Sequence, residues 1–96
     1  MNHAGWANYV RLVTDGYDQG EIAKRSGVAQ GTISRWLGGK HSPGRPANVA
    51  ALAQAFDREV LEAFVMAGFL TYEAAEKGLS PVARRQVQEL LAAERA

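Results

Sequence analysis

Five basic side chains, Lys24, Arg25, Arg35, Lys40 and Arg45, lie between Ile22 and Phe56 with no acid among them. A strip of one sign attracts a polyanion, while the acids elsewhere keep the rest of the chain solvated. The other residues able to do chemistry form no working set. His3 and His41 are not at metal-ligand spacing, and the chain has no cysteine to join them. The lack of cysteine also removes disulfides and thiolate nucleophiles. Glu73 with Glu76 and Glu89 with Glu94 are surface carboxylates without an attendant histidine. Gly38-Gly39-Lys40 follows no strand pattern and lacks the Gly-Lys-Ser/Thr signature of a phosphate-binding loop. The expectation is therefore a binding protein that is not an enzyme and needs no metal or other cofactor.

The chain of 96 residues is one small domain's worth, and 22% of it is charged, too apolar a balance for disorder. Of its 47% apolar residues, 17 are alanine, which suits closely packed helices with thin side chains. The net charge of +1 hides an asymmetry, with +3 on residues 1–46 and −2 on residues 47–96. No apolar run approaches the roughly 18 residues that span a bilayer. The start, Met1-Asn2-His3-Ala4-Gly5-Trp6, has no basic flank followed by an apolar stretch, so no signal peptide is expected. These features predict a cytoplasmic protein without a membrane partner.

Helical periodicity runs throughout, with no alternating strand pattern. Trp6, Tyr9, Val10 and Val13 mark a first helix over about Asn2 to Asp15, with Gly16 as its left-handed stop. Asp18 and Glu21 form a capping box for a second helix, Gln19 to Ser26, ended by Gly27. A third covers Gln30 to Leu37, and a loop rich in glycine and proline follows to Pro46. Pro46 opens a fourth helix, Val60 to Val65 marks a fifth closed before Gly68, and Thr71 caps a short sixth through Lys77. Ser80-Pro81 launches the last. Trp6 and Trp36 fall on apolar faces and are expected in the core.

The second and third helices carry the pattern Gln19-x3-Ala23-x3-Gly27-x5-Ile33. A steep helix crossing needs a small residue at the contact, a turn residue tolerant of positive φ, and a branched apolar residue facing back. Ala23, Gly27 and Ile33 supply these in order, predicting a helix-turn-helix whose second helix faces outward.

With Thr32-Ile33-Ser34-Arg35-Trp36, Gly39-Lys40, Pro43, then Val49, Leu52, Ala53, Phe56 and Leu61-Glu62, the stretch from Tyr17 to Gly68 resembles the lambda-repressor/Cro-like (XRE) helix-turn-helix family. The continuation from Leu61 to Thr71 looks like that of actinobacterial and actinophage members. The resemblance implies an all-α, five-helix domain over residues 1–70 that binds double-stranded DNA as a transcriptional regulator, most often a repressor. It implies that Gln19 grips a phosphate and steadies Gln30, whose amide matches adenine N6 and N7. Thr32 and Ser34 then offer hydroxyls to phosphates or base edges, Arg35 forks onto guanine O6 and N7, and Lys40 with Arg45 holds the next phosphates. Ala29 and Gly31 stand where the family often has polar readers. Ala29 forgoes about 1 kcal/mol of capping and Gly31 costs about 1 kcal/mol inside a helix. Close approach of the Gly31 backbone to DNA is the expected compensation.

Residues 71–96 lie beyond most of the resemblance. Ala83, Val87, Leu90 and Leu91 form a stripe too apolar for water, opposite Arg84, Arg85, Gln88 and Glu89. Either it packs on the Val60–Val65 helix of its own chain or it meets a second copy, and a homodimer through this helical extension is the expectation. The alternative function is an antitoxin-like or adaptor module whose C-terminal helices hold a protein partner.

Overall fold

The structure, a computed structural model, describes residues 3–95. Asn2, at the start of the first expected helix, and Ala96, at the end of the extension, lie outside the described residues. Among those residues there are seven α-helices and no strand: α1 (Ala4–Val13), α2 (Gln19–Ser26), α3 (Gln30–Gly38), α4 (Pro46–Ala55), α5 (Val60–Met66), α6 (Tyr72–Ala75) and α7 (Pro81–Arg95). A 3-10 turn, Glu76–Gly78, joins the last two.

The local signals explain most of these boundaries. Asp18 Oδ1 accepts from the Glu21 N–H at 2.8 Å while Glu21 Oε1 accepts from the Asp18 N–H at 3.1 Å, so α2 opens on a complete capping box. Gly27 then turns left-handed with φ 77°, a conformation costing a residue with a Cβ about 1–2 kcal/mol, and its N–H returns to Ala23 O at 2.8 Å. α1 is shorter than expected and ends at Val13: the Thr14 hydroxyl donates to Val10 O at 2.7 Å, and Gly16 lies in the turn beyond. The sixth segment is α-helical for four residues only. Thr71 Oγ1 accepts from the Ala74 N–H at 3.1 Å, and the tighter 3-10 turn carries the chain on to Gly78.

Packing follows the apolar faces. Trp6 meets Trp36 edge to face at 5.2 Å between ring centres and stacks on Tyr9 at 5.6 Å, joining α1 to α3. Ile22, Ile33, Val49 and Leu52 are at most 1% exposed and fill the space between α2, α3 and α4. Each such aliphatic side chain contributes about 1.5–3 kcal/mol by leaving water. Ala83 and Val87 belong to the same apolar cluster, with Leu90 and Leu91 packed against it. The C-terminal stripe is thus covered by α1 and α5 of its own chain. Of the two outcomes open in the sequence, the stripe packs within its own chain, with Ala83 and Val87 buried and Leu90 and Leu91 half-buried.

Two polar links fix α5 and α7. Tyr9 OH donates to Glu62 Oε2 at 2.5 Å, and Arg58 forks onto the same carboxylate, Nε to Oε2 and Nη2 to Oε1, both at 2.8 Å. Glu62 is 1% exposed, so these three donors replace its lost water. Burial, reinforced by the bond to Glu62, pushes the Tyr9 phenol far above its ordinary range, and the same carboxylate raises Arg58 further. Glu59 holds Ser80 through its backbone N–H at 2.9 Å and through its hydroxyl. Ser80 Oγ in turn accepts from the Ala83 N–H at 3.1 Å and so caps α7.

Candidate nucleic-acid interface

α3 has two unlike faces. Ile33 and Trp36 are buried, while Gln30, Gly31, Ser34 and Arg35 are exposed and Thr32 is half-buried at their edge. Arg35 lies back along the helix, Nη2 donating to Thr32 Oγ1 at 3.3 Å, as long helical side chains lean toward the N-terminus. A Cβ at Gly31 would stand 3.6 Å from Arg35 Nη1, so the guanidinium rests over that bare stretch of backbone.

The loop after α3 is fixed against the helix by a side chain. Trp36 Nε1 donates to Pro43 O at 2.9 Å, and Gly39, left-handed at φ 75°, ends α3 and sends the chain into the loop. Between them opens a cleft of about 310 Å³. Thr32 and Arg35 line it from α3, His41 and Arg45 from the loop, and Asn48 from the first turn of α4, with no acidic residue among its walls. Pro46 at the first position of α4 has no N–H to satisfy, and the Asn48 and Val49 N–H groups return to Arg45 O. Two guanidinium groups facing one polar cleft repel each other unless an anion lies between them.

The expected site residues are therefore only partly assembled. Thr32, Arg35 and Arg45 share the cleft. Gln30, Gly31, Ser34 and Lys40 are exposed, Lys40 on the loop but not among the residues lining the cleft. Gln19 is the first residue of α2 and half-buried. Among the described residues no hydrogen bond joins it to Gln30, so the expected steadying of that amide is not formed in the free chain. Lys24 and Arg25 are exposed, and Arg25 sits 4.6 Å over the Tyr17 ring. Asn48 was missed in the sequence, where its place two residues after Pro46 was the available signal. Arg11 was missed too: it reaches 26 residues along the chain to Leu37 O, which no local pattern announces.

Among the described residues no cluster of three His, Asp or Glu side chains is placed to hold a metal, and no helix is long and apolar enough to cross a membrane. The exposed acids Glu73, Glu76, Glu89 and Glu94 all belong to the segment from α6 onward, outside the cleft. No family model, curated protein or solved structure matches the chain.

Proposed function

We propose that this chain binds double-stranded DNA sequence-specifically, as a helix-turn-helix transcriptional regulator acting as a repressor. On this reading α1 to α5 form a lambda-repressor-like domain and α3 enters the major groove. The observation that carries it is the exposed face of α3, where Gln30, Ser34 and Arg35 stand beside a cleft lined by Arg35 and Arg45 and by no acid. The amide and guanidinium have the donors and acceptors that base edges require, and the cleft has the charge that a phosphate requires. Lys40 and Arg45 hold the backbone, Gln30 and Arg35 read bases, and no cofactor takes part. A major groove about 12 Å wide admits a helix of this kind.

The deciding experiment is selection of bound duplexes from a random pool, with the intact chain and with Arg35→Ala and Lys40→Ala. The intact chain should enrich a defined motif, Arg35→Ala should lose preference at one base position, and Lys40→Ala should weaken all sequences alike. A motif with two half-sites about 10 base pairs apart is expected for a homodimer on DNA. Enrichment of no motif by the intact chain would refute the reading.

A further inference from the structure

The two ends of α3 are held differently. Ala29 gives its N-terminus no side-chain cap. The last turn, by contrast, receives three donors or acceptors from elsewhere: Trp36 Nε1 donates to Pro43 O at 2.9 Å, Gly39 O accepts from the His3 N–H at 3.1 Å, and Leu37 O accepts from Arg11 Nη2 at 2.5 Å. Arg11 is exposed, yet its guanidinium is oriented, because Nη1 donates to Asn8 Oδ1 at 3.0 Å from the preceding turn of α1. The outer edge of α1 thereby clasps the C-terminal end of α3.

The residue type suits the task. Carbonyls at a helix C-terminus lack intrahelical partners and carry partial negative charge, so a cation bearing N–H groups favours that end. A guanidinium delivers two N–H groups in fixed geometry, one to Asn8 and one to Leu37, where an ammonium is a single flexible point. The tilt of α3 sets where Gln30 and Arg35 fall, and paired hydrogen bonds to a base edge weaken steeply with misalignment.

We infer that Arg11, oriented by Asn8, is a positioning residue: it fixes the end of α3 and sharpens discrimination between DNA sequences without itself contacting DNA. This rests on the DNA-binding reading above and adds a residue to it. The test compares the intact chain with Arg11→Ala and Arg11→Lys, on the selected duplex and on a scrambled one, across a salt series. Amide hydrogen exchange on the free proteins is measured in parallel.

Arg11→Ala should lower the ratio of specific to non-specific affinity by about tenfold with the salt slope unchanged, and Arg11→Lys should recover only part of the ratio. Exchange should quicken at Trp36 to Gly39 and stay the same in α2. If both affinities fall together and the slope flattens by about one, Arg11 is a phosphate contact and the inference is wrong. An unchanged ratio in a folded Arg11→Ala protein also overturns it, reducing Arg11 to a helix cap. Should the intact chain itself show no duplex preference, the DNA reading fails, and the exchange result alone decides whether Arg11 fixes α3.

Discussion

The indole N–H of Trp36 donates to Pro43 O at 2.9 Å, binding α3 to the loop that carries Lys40 and Arg45. One side chain therefore serves the core with its ring and the basic surface with its single polar atom. Trp6, in edge-to-face contact with it, makes no such link, and its Nε1 is buried without a hydrogen-bond partner. The two tryptophans are alike in burial, at 1% and 2% exposed, but differ in polar consequence.

Trp36→Phe should accordingly destabilise the fold by about 1 kcal/mol more than Trp6→Phe, because only the first strands a carbonyl that had a donor. Both lose similar ring volume, so urea denaturation of the pair isolates the hydrogen bond. Equal losses would mean that Pro43 O finds water when the indole is removed.

Gly31→Ala should move stability and binding in opposite directions. The new Cβ stands in ordinary contact with Arg35 Nη1 at 3.6 Å, so nothing opposes a gain in helix propensity, which at this second helical residue is smaller than the interior value of about 1 kcal/mol. If the bare backbone at Gly31 lies against DNA, duplex affinity falls while the melting temperature rises. A variant that is more stable and binds equally well would show that the glycine is not there for DNA.

The link between Glu59 and Ser80 predicts a pH dependence. The Ser80 hydroxyl and then its backbone N–H hold the Glu59 carboxyl below its ordinary value. A carboxylate with a depressed folded-state pKa contributes stability above its unfolded value, and that contribution disappears as pH falls through the folded one. Ser80→Ala removes the first of the two bonds. Between about pH 5 and about pH 3 the intact chain should therefore lose more stability than Ser80→Ala does. Chemical denaturation at several pH values checks this, and parallel curves would count against the link.

The sequence announced elements whose ends are set by neighbouring residues. Asp18 with Glu21 and then Gly27 bounded α2, and Ser80-Pro81 launched α7, because capping and left-handed turns are local events. Features made by distant residues were hidden. Glu62 is a helix carboxylate in the sequence, and only the fold brings Tyr9, 53 positions away, to satisfy it in the core. The stripe on α7 was visible as apolar, but its cover was not, since the α1 and α5 faces that close over it are remote in sequence. The same holds at the interface: the composition of α3 was legible, whereas the cleft formed by Arg35 with Arg45 and Asn48 depends on how the loop is held.

Closure of that stripe within the chain gives a direct contrast on α7. Val87 is 0% exposed and Val82 is 78% exposed. Val87→Ala should cost about 1–3 kcal/mol, and Val82→Ala should stay within about 0.5 kcal/mol. Thermal unfolding of both variants tests this. A small loss at Val87 would imply that α7 is not part of the folding core.

Binding of duplex DNA through the basic residues of the acid-free stretch from Ile22 to Phe56 is the central proposal, and salt dependence tests it most directly. The affinity for the selected duplex should be measured by fluorescence anisotropy across a salt series. If each chain neutralises about four to six phosphates, log K against log salt falls with a slope of about −4 to −5. A slope near −1 would mean that hardly any cation meets a phosphate, and duplex DNA would not be the main ligand of this protein.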